Sequence, residues 1–253
     1  MWRVQLFFPN LRRHHIQPDI RMTPQQAAKQ AVASHVVNLI EDGMRLGLGT
    51  GSTAALAIAA LGRRIAEEGL HVVGVPTSFA AERLARQHGI PTTTFDTVDR
   101  LDLAFDGADE VDPALALIKG RGAAHTREKI VAAQADRFVV LVDDSKLVDQ
   151  LGTRMPLPVE VLPMACTPVM RTLEALGARP ELRMGQAKDG PVVSDQGFWI
   201  IDAHFANGIA DAVTLNRTLL DLPGVLDHGL FLSLATDVLI GYRDDGRVEV
   251  RSS

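Results

Sequence analysis

The chain has 253 residues, 46% of them hydrophobic and 23% charged, with a net charge of −5, an ordinary globular balance with material for one large domain or two modest ones. That charge argues against nucleic acid or an anionic membrane as a partner, and no apolar run approaches the roughly 20 residues that span a bilayer. The single cysteine, Cys166, excludes an internal disulfide and a multi-cysteine metal cage and suits a reducing cytoplasm.

Residues 1–21 stand apart, with Arg3, Arg12, Arg13, His14 and His15 against one acid, Asp19. They are expected to be a disordered extension, with an Arg-rich transit peptide as the alternative. From Met22 the signals become regular. Thr23 as N-cap, Pro24 at the first helical position and Gln26 three after the cap predict a helix that Gly43 ends near Asp42. Strands follow at Met44–Leu48, His71–Val75, Leu101–Phe105 and Arg137–Val142, and helices at Ser52–Glu68, Phe79–Gln87 and Thr126–Ala135. This alternation predicts an open, mostly parallel sheet with helices on both faces.

After about Gly152 the rhythm changes. Strands near Leu157–Pro163, Glu181–Met184 and Phe198–Ala203, with helices at Pro168–Leu176 and Ala210–Leu222, predict a smaller ferredoxin-like α+β insertion. Strands at Leu230–Leu234, Asp237–Tyr242 and Arg247–Arg251 complete the chain. The division expected is a catalytic α/β domain of residues 22–152 and 224–253 and a small domain of 153–223.

Four clusters follow strands of the predicted sheet. Gly47-Leu48-Gly49-Thr50-Gly51-Ser52-Thr53-Ala54 joins a strand to a helix, where glycines admit a ligand and free N–H groups suit a phosphate. It fits a dinucleotide fingerprint loosely, and no lysine follows, so a Walker A loop is excluded. Asp106-Gly107-Ala108-Asp109-Glu110-Val111-Asp112 sets four acids at a strand's C-terminal end, suited to sugar hydroxyls and proton movement or to a divalent cation. In Lys119-Gly120-Arg121-Gly122-Ala123-Ala124-His125-Thr126-Arg127-Glu128, Glu128 is either a charge at a helix start or a base aimed beside Lys119. Lys146, in Asp143-Asp144-Ser145-Lys146, adds a cation. In a parallel sheet these clusters share one edge and converge.

With its motifs in this order, the sequence resembles the A-type ribose-5-phosphate isomerases: GLGTGSTA (47–54), DGADEVD (106–112), KGRGAAHTREKIVA (119–132), DDSKLV (143–148) and LPVEVLPMA (157–165). The resemblance runs from Met22 to about Arg251. It implies a cofactor-free homodimer acting on a sugar phosphate. It assigns substrate contacts to Thr50, Gly51, Ser52 and Thr53, to Asp106, Gly107, Ala108 and Asp109, to Lys119, Gly120, Arg121 and Gly122, and to Lys146. Glu128 is implied as the proton acceptor, and Lys29 resembles a lysine near the phosphate. The family usually carries glycine at position 121 and an apolar residue at 125; a positive φ there would strain Arg121.

Aldose–ketose isomerisation moves a hydrogen between C2 and C1, by a metal-assisted hydride shift or by proton transfer through an enediol. No His/Asp/Glu cluster has metal spacing, so the proton route is expected without a metal. Glu128 would be the base, Lys119 the cation at the enediolate oxygen, and Asp106 and Asp109 the groups that orient hydroxyls and shuttle the oxygen-bound proton. A sugar-phosphate sensor or regulator domain of related fold is the alternative, although residues 1–21 are too short for a helix-turn-helix. A nicotinamide-dependent dehydrogenase would need an acid after the second strand, where Val75-Pro76-Thr77 stands.

Overall fold

In the computed structural model, which describes residues 22–187 and 189–253, Thr23 caps the first helix through the expected reciprocal bonds with Gln26. The expectation for residues 1–21 lies outside the described residues. Helix α1 (Pro24–Val37) stops short of the predicted Asp42. Its last turn tightens, Leu39 and Ile40 donating to Val36 and Val37, so the chain turns while Ile40 stays in the core.

The chain continues through β1 (Arg45–Leu48), α2 (Ser52–Glu68), β2 (Val73–Pro76), α3 (Phe79–Gln87), β3 (Leu103–Gly107), β4 (Glu110–Val111), β5 (Leu117–Ile118), α4 (His125–Ala133) and β6 (Phe138–Asp143). Then come β7 (Leu157–Val161), α5 (Cys166–Ala175), β8 (Ala178–Leu182), β9 (Trp199–Phe205), α6 (Ala212–Leu220), β10 (Val225–His228), β11 (Leu230–Phe231), β12 (Asp237–Gly241) and β13 (Val248–Ser252). The main sheet has the order β13-β12-β6-β3-β1-β2, parallel except at the β12–β13 pair. Strand β6 is buried along its whole length, as a central parallel strand with both faces covered must be. Helices α1, α2 and α3 pack on one face through Val36, Ile58, Leu61 and Ala85 against Leu46, Leu48 and Phe105. Each of the larger side chains among these, fully buried, stabilises the fold by about 1.5–3 kcal/mol, and the Ala85 methyl by less.

On the opposite face lie α4 and a three-stranded sheet, β11-β5-β4, absent from the sequence reading because two-residue strands show no periodicity. The chain leaves β1 toward β2 and returns past it to β3, so the sheet reverses direction between β1 and β3. A crevice opens at such a reversal.

The second unit is a four-stranded antiparallel sheet, β10-β7-β9-β8, with α5 and α6 supplying Val169, Leu173, Leu215 and Leu219 to its core. This is the ferredoxin-like α+β arrangement. Of the predicted strand at 230–234 only Leu230–Phe231 pairs, as β11, and β10 at Val225–His228 precedes it without having been expected. β10 pairs with β7 in the small sheet and β11 with β5, and Gly229 between them donates to Pro158 O. The small sheet therefore runs through His228, beyond a boundary drawn at 223.

Candidate active site

A cleft of about 460 Å³ opens over the C-terminal ends of β1, β3 and β6. Its wall begins with the turn from β1 into α2. Gly49 is required there by close approach: a Cβ would lie 2.4 Å from Phe105 O and 2.6 Å from Asp106 Cα. This contact lets Thr50 N–H donate to Asp106 Oδ1 at 3.0 Å, alongside Gly107 N–H at 2.7 Å. Thr50 Oγ1 sits 2.7 Å from the hydroxyls of both Thr77 and Ser78, so its side chain braces the turn. Gly51, Ser52 and Thr53 line the cleft at the start of α2, where Ser52 Oγ accepts from Lys29 Nζ at 3.0 Å. Lys146 lines the same cleft, so two ammonium groups and a helix N-terminus border one space. That arrangement suits a phosphate.

The floor is a dry ionic cluster. Lys119, just after β5, is 2% exposed; its Nζ lies 3.2 Å from Asp106 Oδ2, 3.2 Å from Glu128 Oε2 and 2.5 Å from Gly107 O. The Phe231 ring meets both this ammonium and that of Lys129, at 5.5 and 5.2 Å from its centre. Asp106 Oδ2 and Glu128 Oε2 have no hydrogen-bond partner beyond the ammonium they face. Of the two carboxylates Glu128 lines the cleft; Asp106 is not among the lining residues and is tied to it through Lys119 and the Thr50 and Gly107 N–H groups.

Burial drives the electrostatics. It pushes the Glu128 carboxyl up to about 8, with Lys119 pulling it back and the Asp106 carboxylate adding to the rise. Burial raises Asp106 as well, against the pull of Lys119 and of the Gly107 and Thr50 N–H groups. For Lys119 burial disfavours the charge, but the carboxylates of Asp106 and Glu128 outweigh it and hold the amine above its usual range. One permanent cation thus serves two carboxyls, one of which titrates near neutrality.

Asp109, Ala108 and Gly122 line the rim; Asp109 Oδ2 accepts from Arg121 N–H at 3.0 Å. Arg121 is not strained: the positive φ falls on Gly120 (φ 107) and Ala123 (φ 57). His125 is fully buried against Gly120 with Nε2 3.9 Å from Glu160 Oε2, and burial pushes its imidazole down to about 3, the Lys129 and Arg183 cations adding to the fall, so it packs as a neutral ring. The other acids of the 106–112 run serve structure. Glu110 is fully buried and accepts from Gly152, Arg154 and Met155 N–H, and Asp112 accepts from Ala114 and Ala116.

Two groups at this site were not singled out as ligand contacts. Asp143, at the end of β6, lines the cleft beside Lys146. Arg183, after β8, donates to the carbonyls of Gly120 and Arg121; nothing local in the sequence marks a contact with a residue 63 positions away. Among the described residues, no group of three or more His, Cys, Asp or Glu is placed to hold a metal ion, and no helix is long and apolar enough to cross a membrane.

Residues 73–245 match the family model for ribose 5-phosphate isomerase A (phosphoriboisomerase A). The chain is similar to ribose-5-phosphate isomerase A of Thermosynechococcus vestitus, 54% identical over 224 residues, spanning 88% of this chain and 94% of that one. Among solved structures, ribose 5-phosphate isomerase A of Methanocaldococcus jannaschii superposes with a TM-score of 0.85 at 48% identity, covering 89% of this chain and 98% of that one. A D-ribose-5-phosphate isomerase in complex with phospho-erythronic acid superposes with a TM-score of 0.86 at 46% identity, covering 89% and 98%.

Proposed function

The chain belongs to the ribose 5-phosphate isomerase A family and is an aldose–ketose isomerase of the non-oxidative pentose phosphate pathway; we propose that it interconverts D-ribose 5-phosphate and D-ribulose 5-phosphate with Glu128 as its base. The observation that carries this reading is the buried Asp106–Lys119–Glu128 cluster at the floor of a cleft whose far end holds Lys29, Lys146 and the start of α2.

The chemistry follows from the geometry. The phosphate lies at the Lys29–Lys146 end and the carbonyl end reaches the floor. Ionised Glu128 removes the proton from C2 of the open-chain aldose. The C–H electrons form the C1–C2 double bond, and the carbonyl π electrons move to O1, whose charge faces the Lys119 ammonium. Asp106 or Asp109 takes the O2 proton and delivers one to O1. Glu128 then returns its proton to C1, leaving the ketone at C2. A carboxyl titrating near 8 is a base matched to neutral conditions, strong enough to take a carbon-bound proton and able to give it back. Lys119 stays charged throughout, so its stabilisation of the oxyanion requires no proton movement. The residues supply acid–base groups and a fixed cation, and no step in this sequence calls on a metal.

The test is formation of ribulose 5-phosphate from ribose 5-phosphate with excess chelator present, followed in deuterated water. Turnover with label entering at the transferred position is expected. Loss of activity on chelation, restored by a divalent ion, would contradict the metal-free route. The family resemblance supports a homodimer, to be checked by light scattering. The lone thiol of Cys166 fits a cytoplasmic location.

A further inference from the structure

We propose that Arg183, contributed by the four-stranded sheet, is a positioning residue for this isomerisation, acting through the Gly120–Arg121 peptide on Asp109. The proposal rests on the reading of the cleft as an isomerase site and adds a residue outside its motifs.

Arg183 Nε and Nη2 engage Asp202 on β9 at 2.8 and 2.5 Å, a two-pronged pair that fixes the plane of the guanidinium. The pair is mostly buried, with side-chain exposures of 16% and 17%. The remaining nitrogen, Nη1, donates to Gly120 O at 3.0 Å and to Arg121 O at 3.1 Å. These carbonyls belong to the turn that carries Lys119 into the cleft. Its Gly120 has φ 107, and a Cβ there would lie 2.7 Å from His125 Nδ1.

The peptide between Gly120 and Arg121 is therefore held at both ends. Its carbonyl accepts from Arg183, and its N–H donates to Asp109 Oδ2 at 3.0 Å. A trans peptide is planar with its C=O and N–H opposed, so fixing the oxygen fixes the direction of the N–H and, with it, the carboxylate that the N–H grips. A guanidinium on the carbonyl also polarises the amide and strengthens its bond to Asp109. Asp109 lines the cleft, with Oδ2 occupied by Arg121. The small sheet thus reaches the reacting hydroxyls through one arginine and one peptide. Lysine at 183 could not reproduce this, because a single ammonium cannot fork onto Asp202 and span two carbonyls together.

The experiment is Arg183→Lys in the wild-type chain and in an Asp109→Ala chain, each checked for folding by thermal melting. In the otherwise wild-type chain kcat should fall about 10- to 100-fold, the scale of a slight misplacement in a site, with KM within about threefold. In the Asp109→Ala background the same change should cost less than about twofold, since the group it positions is gone. If Arg183→Lys does not fold, Arg183→Met with Asp202→Leu removes both charges without stranding a carboxylate and is read in the same two backgrounds. Wild-type kinetics in the variant, or equal losses in both backgrounds, overturn the proposal. A wild-type chain that does not isomerise ribose 5-phosphate overturns the functional reading itself, a result visible before any variant is compared.

Discussion

Replacing Glu128 with glutamine keeps the size of the side chain and its contact with Lys119 while removing the base. If Glu128 takes the C2 proton, kcat should fall by about 100-fold or more, the range of general-base catalysis. KM should move little, because the phosphate end and the hydroxyl contacts are untouched. The same change has a stability signature of defined sign. Burial raises this carboxyl from 4.5 to about 8, so ionising it is harder in the folded chain than in the unfolded chain. Below pH 4.5 the group is protonated in both states and wild type gains nothing from titration. As pH rises from there the unfolded carboxyl ionises first, the folded state loses stability, and the loss levels off once pH passes about 8. The glutamine variant escapes this loss. Urea unfolding of both proteins well below pH 4.5 and above pH 8 should show the variant gaining stability on wild type as pH rises, although its activity has collapsed. Near-normal kcat in the folded variant would reduce Glu128 to a helix-end charge. A stability difference independent of pH would refute the burial argument.

The pH profile offers a second check: kcat/KM of wild type should climb about tenfold per pH unit below about 8 and flatten above it, because only ionised Glu128 is a base in the free enzyme. A flat profile across that range would contradict a raised carboxyl. Lys146→Ala should act in the opposite sense to Glu128→Gln, raising KM about tenfold or more, the scale of a lost charged hydrogen bond, with a smaller change in kcat measured by the same steady-state assay.

Much of the site was legible because parallel strands force their C-terminal loops to one edge. Asp106 after β3, Lys146 after β6 and the turn after β1 each follow an apolar run, and the parallel sheet brings them together; Lys119, expected after a strand of that same sheet, instead follows β5 of the three-stranded antiparallel sheet packed against it. Glu128 taken alone reads more readily as a helix-start charge; its own burial and its 3.2 Å contact with buried Lys119 show it withdrawn from water. Resemblance suggested a strained Arg121, yet the turn places its left-handed residues at Gly120 and Ala123. Arg183 was illegible because a guanidinium that spans two carbonyls leaves no periodicity in the chain. β10 was hidden because Val225-Leu226-Asp227-His228 is short and half polar, and nothing in it reports that its neighbour is β7 while β11, past Gly229, pairs with β5.

The place of β12 governs the order of assembly. β6 ends at Asp143 and its parallel neighbour β12 begins at Asp237, with the whole four-stranded unit threaded between them. A pairing across so long an excursion carries a loop-closure cost that local turns do not, and chains rich in such pairings fold slowly. The ring under Lys119 comes from Phe231, late in the same stretch. A ribosome-bound chain therefore completes its reaction floor only after the whole four-stranded unit has been made, and recovery of turnover after dilution from denaturant should follow the slowest, sheet-closing phase rather than the early appearance of helix.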